Sequence, residues 1–182
     1  MMIAEVKDVI CHLKSGEVIG YPTEAVYGIG CDPWNQSSVE KIAKIKGRKS
    51  SQTFLMVASS IDQLTDLIDT SRLTPQVTSS WPGHTTWLIK AKENVPYWLQ
   101  DKQTNKVGIR ISNHPVVIEL CNGFRKPIIS TSANISGKKE IKNQQEFMRI
   151  FSSDINYLVD GDLGDYDKAS MIIDMETNRK IR

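Results

Sequence analysis

Two cations separated by one glycine, Lys46-Gly47-Arg48, are the first residues of this chain whose spacing suggests chemistry. If the backbone runs extended beyond Gly47, positions two apart point to one side with Cα atoms about 6.6 Å apart, and both charges face one site. Such a pair suits a triphosphate or a carboxylate, with arginine forking onto two oxygens and lysine acting as a mobile point charge. A solvated helix end is the plain alternative, because cations also favour a helix C-terminus. A second polar segment, Ser130-Thr131-Ser132-Ala133-Asn134-Ile135-Ser136-Gly137, follows the apolar run Pro127-Ile128-Ile129. Continued strand geometry places Ser130, Ser132 and Asn134 on one face, two hydroxyls and an amide at the kind of strand end where open α/β sheets bind ligands. A polar turn rich in Ser and Asn is its plain alternative. The third segment, Tyr21-Pro22-Thr23-Glu24-Ala25-Val26-Tyr27-Gly28, ends a strand in a proline-fixed turn that presents a hydroxyl, and alone it reads as an ordinary strand-to-loop turn.

The elements that must position these segments alternate between short apolar runs and helical patterns. Val6, Val9, Ile10 and Leu13 have the spacing of a helix with one buried face, which Gly16 ends. A strand follows at 17–21. Ser37 with Glu40 forms a capping box for a helix carrying Val39, Ile42 and Ala43, stopped by Gly47. Further strands are expected at 53–58, 86–91, 107–111, 127–131 and 171–174, with helices starting near Ser60, Thr74, Asn113 and Asn143. The alternation predicts an α/β fold with a mixed sheet and flanking helices, without fixing strand order. No repeat or linker interrupts it, so residues 1–182 are expected to form a single domain.

Composition excludes several classes. The 23 basic and 21 acidic residues leave a net charge of +2, too small to argue nucleic-acid binding from the whole chain. Local patches differ: Lys41, Lys44, Lys46, Arg48 and Lys49 cluster, while Asp160, Asp162, Asp165 and Asp167 gather acid in what reads as a solvated loop without the ligand order of a calcium loop. Cys11, Cys31 and Cys121 lie far apart without CxxC spacing, which argues against a disulfide framework or a zinc site. Glu5 and Asp8 interrupt the N-terminus where a signal peptide needs apolar residues, and no run approaches a membrane span, so a cytoplasmic protein is expected. His12, His84 and His114 stand in no HExxH, GxSxG or CxxCH context, which leaves a hydrolase reading without its base. His12 and His114 read as structural, and His84 as a loop residue without a role.

Taken together, the motifs resemble the YrdC family of threonylcarbamoyl-adenylate synthases, also called TsaC, over nearly the whole chain. The matching pieces are YPTEAVYGIGCDP, KGR, WPG with a threonine three residues on, VGIRISNHPVV, KPIISTSANISG, VDG and SMIID. The resemblance implies an open, strongly twisted mixed sheet with a basic concave face. It places Thr23 beside a threonine substrate, Lys46 and Arg48 on phosphate and carboxylate oxygens, and Ser132 and Asn134 on the nucleotide. Thr86, Arg110, Ser130 and Ser136 are implied to line the same site. The substrates implied are ATP with its Mg2+, L-threonine and bicarbonate. A role in modifying tRNA, with possible tRNA contact and other threonylcarbamoylation proteins as partners, is implied too. No protein-bound metal, prosthetic group or membrane is expected.

The chain departs from the family pattern at Lys49, at Gln52-Thr53-Phe54 in place of a frequent Lys-Pro-Leu, at His84 and at Met171. One rival reading is a non-catalytic RNA-binding module of the same fold, whose phosphate contacts would use the basic cluster but have little use for Ser132 and Asn134. Another is a carbamoyl-adenylate-forming domain of the hydrogenase-maturation type, an activity of much longer chains.

Overall fold

A computed structural model describes residues 1–48 and 53–182; Lys49, Ser50, Ser51 and Gln52, and with them the expectations at Lys49 and Gln52, lie outside the described residues. Nine described strands form one sheet: β1 (Met2–Ala4), β2 (Ile19–Pro22), β3 (Tyr27–Gly30), β4 (Leu55–Ala58), β5 (Thr85–Lys90), β6 (Lys106–Ile111), β7 (Ile128–Ser132), β8 (Tyr157–Val159) and β9 (Met171–Asp174). Their order is β1-β8-β2-β3-β7-β4-β6-β5-β9. Parallel pairing (β1 with β8, β2 with β8, β4 with β6, β5 with β9) mixes with antiparallel pairing, which holds β3, β7 and β4 together at the centre.

Five α-helices are described: α1 (Val6–Lys14), α2 (Gln36–Ile45), α3 (Pro75–Ser79), α4 (Pro115–Phe124) and α5 (Gln144–Phe151). Alternation along the strands sorts the core into two clusters. Val57 and Ile128 join Val6, Val9 and Leu13 of α1 and Val117, Leu120 and Phe124 of α4, whereas their neighbours Met56 and Ile129 join the larger cluster with Ile42, Trp87, Ile109 and Phe147. Period two leaves no other arrangement for adjacent buried residues of one strand.

Helix starts follow their capping chemistry. Thr74 accepts from the Val77 N–H with Pro75 in the first turn, and Asn143 accepts from the Glu146 N–H. The capping box at Ser37 and Glu40 does not form. Asn35 is the cap, its side chain accepting from the Ser38 N–H at 3.2 Å, and the Ser37 hydroxyl donates to that same amide oxygen. α4 is entered through His114 rather than Asn113, and the helix expected near Ser60 is a single 3-10 turn, Ile61–Leu64. β1 and β8 escape the sequence reading because three residues are too few to display a period, and β3 because two of its four residues, Gly28 and Gly30, are glycines that carry no strand signal.

Candidate active site

A cavity of about 460 Å3 opens where β7 ends between β3 and β4, and Thr23, Lys46, Arg48, Thr86, Arg110, Ser130, Ser132, Asn134 and Ser136 all contribute to its wall. Its position follows from the sheet. Ser130 and Ser132 of β7 stand opposite Leu55 and Gly28, and β6 brings Arg110 opposite Val57. Thr86 comes from β5, Thr23 from the turn after β2, and the two cations from the end of α2.

The Lys46-Gly47-Arg48 turn is not extended. Lys46 caps α2 with φ −80° and ψ −8°, and Gly47 has φ +58°, a left-handed conformation that glycine adopts without steric penalty. Nor is Lys46 an exposed, mobile charge, for it is only 4% exposed. Its ammonium donates to the main-chain carbonyls of Ser132 and Asn134 (3.0 Å to the latter) and to Asn134 Oδ1 at 2.9 Å. The Ser136 N–H returns a bond to the Lys46 carbonyl at 2.9 Å. Lys46 therefore stitches the end of α2 to the loop after β7. Burial, and then the charge of Arg48, push its ammonium down to about 8. Arg48 remains half-buried, with Nη2 donating to the Thr53 carbonyl at 3.2 Å and its guanidinium 4.6 Å from the Phe54 ring centroid.

Asn134 spends its amide inside the same loop. Oδ1 accepts from Lys46 and from the Ser132 hydroxyl at 2.9 Å, and Nδ2 donates to the carbonyls of Ile135 and Lys138. It shapes the loop and, with Ser130, Ser132 and Ser136, also borders the cavity. Thr23 likewise donates its hydroxyl to the Val26 carbonyl at 2.7 Å, and the Thr86 and Ser170 hydroxyls meet at 2.9 Å.

Residues that the motif reading passed over complete the wall. Glu24, 3% exposed, pairs with Arg110 and accepts from the Ser112 hydroxyl at 2.5 Å. Burial pushes the Glu24 carboxyl up, but the Arg110 charge and these hydrogen bonds outweigh it and hold the group below the ordinary carboxylate range. Arg182 donates to the Ser170 carbonyl at 3.1 Å. The described wall thus sets Lys46, Arg48, Arg110 and Arg182 against Glu24 and Glu140, an excess of cations suited to an anionic ligand.

The acidic loop is more than solvated. Gly164 and Tyr166 donate their N–H groups to the Thr23 and Glu24 carbonyls, at 3.0 and 2.9 Å, and a Cβ at Gly164 would sit 2.9 Å from the Glu24 backbone. Two histidines grip the same loop, His114 at the Asp162 carbonyl and His84 at the Lys168 carbonyl. His84 also stacks on Tyr166 with centroids 4.1 Å apart, a role its sequence context did not suggest.

The Sua5/YciO/YrdC family model, described as telomere recombination, matches residues 11–182. The chain belongs to this family. Among curated members, a threonylcarbamoyl-AMP synthase of Pseudoalteromonas translucida is 40% identical over 174 residues, covering 93% of this chain and 92% of its own. One of Vibrio parahaemolyticus is 36% identical and covers 97% of each chain. Among solved structures, P. abyssi Sua5 complexed with L-threonine superposes with a TM-score of 0.85 at 25% identity over 96% of this chain, which spans only 52% of that longer one. E. coli YciO gives the same TM-score at 22% identity, covering 97% of this chain and 87% of its own. HypF in its phosphate- and nucleotide-bound form shares the fold at 16% identity, with a TM-score of 0.80 over 27% of that chain. The mixed, twisted sheet expected from the motifs is thus the fold of this family. Among the described residues no helix is long and apolar enough to cross a membrane.

Proposed function

We propose that this family member joins L-threonine, bicarbonate and ATP into threonylcarbamoyl-adenylate, releasing pyrophosphate. The observation that carries this reading is the convergence, in one cation-lined cavity, of the KGR turn, the SxN loop and the Thr23 turn. Curated relatives named threonylcarbamoyl-AMP synthase over nearly their full length support it. A volume of about 460 Å3 falls in the ordinary range of small-molecule sites, about 300–1,000 Å3.

The reaction asks for no nucleophile from the protein. The threonine amine and bicarbonate lose water to form a carbamate, one carbamate oxygen bonds to the α-phosphorus, and the α–β bridging oxygen leaves with pyrophosphate. Orientation and fixed positive charge are what the chain must supply. In this reading Arg48 forks onto phosphate oxygens, while Lys46 holds the SxN loop in shape beneath them. Arg110, fixed by Glu24, faces the amino-acid end near Thr23, and the Thr86–Ser170 hydroxyl pair lines the wall between. Magnesium enters as part of the ATP substrate. The cavity's carboxylates are Glu24, which meets Arg110 and Ser112 through Oε1 while its buried Oε2 has no described hydrogen-bond partner, and Glu140.

On this reading residues 1–182 act as one domain in the cytoplasm. Their product is handed to the proteins that transfer threonylcarbamoyl to tRNA, with tRNA contact at the basic end of α2. A purely RNA-binding module is less well supported, because Lys46 is buried against carbonyls and is not presented to an RNA backbone. The test is pyrophosphate release from ATP with each substrate omitted in turn. Release that requires both threonine and bicarbonate is expected, and release indifferent to either would overturn the proposal.

A further inference from the structure

Phe54 does not border the cavity, yet the Arg48 guanidinium lies over its ring, 4.6 Å from the centroid. The ring is 4% exposed and belongs to the larger hydrophobic core, immediately before β4. Its chain neighbours Thr53 and Leu55 do line the cavity, and the Thr53 carbonyl accepts from Arg48 Nη2 at 3.2 Å. One short segment thus meets Arg48 in two ways, a carbonyl at its edge and an aromatic face beneath it.

From this geometry we infer that Phe54 is a positioning residue for Arg48, an aromatic seat that sets the height and tilt of the guanidinium above the ligand. The inference rests on the synthase reading for what Arg48 meets, and on the ring contact for how it is held. An arginine stem has many rotamers, and ordering them takes free energy that a bound anion must otherwise supply. A planar cation over a ring face loses little hydration and is attracted by the ring quadrupole. An aliphatic residue of similar volume fills the same core space without that attraction.

The experiment is a double-mutant cycle on Phe54→Leu and Arg48→Ala in the full chain, reading kcat/KM for ATP and, in parallel, ATP binding by calorimetry. Cation–π contacts in partly desolvated settings correspond to about twofold to about thirtyfold, so Phe54→Leu should weaken both readouts by a factor in that range. The same substitution in the Arg48→Ala background should change neither. An effect of equal size in both backgrounds, or none in the wild-type background, overturns the inference. Should Phe54→Leu fail to fold, Phe54→Met keeps the volume without a ring and takes its place in the cycle. Wild-type protein that binds ATP but releases no threonine-dependent pyrophosphate would overturn the synthase reading instead, and the binding cycle would still decide the seat.

Discussion

Replacing Lys46 with methionine keeps an unbranched stem and removes the ammonium. Two of its three acceptors retain a donor: the Ser132 carbonyl also accepts from the Asn134 N–H at 3.0 Å, and Asn134 Oδ1 from the Ser132 hydroxyl at 2.9 Å. Among the described contacts the Asn134 carbonyl loses its donor outright, a loss of about 1–3 kcal/mol for a buried polar group. Opposing this, an ammonium pushed from its ordinary 10.5 down to about 8 carries its charge at neutral pH at a cost of about 3 kcal/mol, which methionine does not incur. The two effects nearly cancel. Stability should therefore change by between nothing and a gain of about 2 kcal/mol, a rise of at most roughly 8 °C in melting temperature for a chain of this size. Synthesis should fall about 100-fold, as when a displaced loop misplaces a reactant by about 1 Å. Scanning calorimetry and pyrophosphate release on the same sample read both quantities, and amide exchange should quicken at Asn134 and Ser136. Unchanged synthesis together with unchanged exchange would refute the role given to Lys46 in holding the loop.

Arg48→Ala should lower synthesis by about 100- to 1000-fold, with Arg48→Lys recovering little of it because an ammonium cannot fork, and steady-state kinetics at saturating threonine check both. The pH profile of kcat/KM for ATP should descend above about 8 as Lys46 loses its proton, and Lys46→Arg should remove that limb. The stability contribution of the same group has the opposite sign. The folded state binds fewer protons than the unfolded one between about 8 and 10.5, so this contribution rises with pH there, as alkaline melting curves would record. Glu24, held below its ordinary 4.5, contributes stability that is present above that value and lost as acid protonates it. Glu24→Gln strands the buried Arg110 charge, so it should lower stability at pH 7 by about 3–5 kcal/mol and flatten the acid limb in denaturant titrations.

What the sequence disclosed and what it concealed divide along a physical line. Strands β5, β6, β7 and β9 were legible because four to six residues of β-branched and apolar type carry a period, and caps such as Thr74 and Asn143 announce themselves through local hydrogen bonds. The wall residues were legible as a group only through the family resemblance that the motifs carry, which implied that they line one site. What each side chain does there was not, since that depends on contacts remote in the chain. Lys46 reaches carbonyls 86 and 88 positions away, Arg110 reaches Glu24 across 86, and His84 reaches Lys168 across 84. Extended geometry was the wrong premise for the KGR turn because glycine after a helical lysine permits a left-handed residue, which turns the chain and leaves the lysine in the helix end. Once Lys46 lies there, its stem runs towards the β7 loop, and carbonyls rather than a ligand receive its protons. The two cations of the motif then have separate duties, one fixing the loop that shapes the cavity and the other lining it, and this is why exchanging Lys46 and Arg48 should not preserve synthesis although it preserves composition and charge. The exchanged variant, assayed for pyrophosphate release, is expected to be at least as impaired as Lys46→Met or Arg48→Ala. Activity near that of the unaltered chain would show that only the sum of the charges matters.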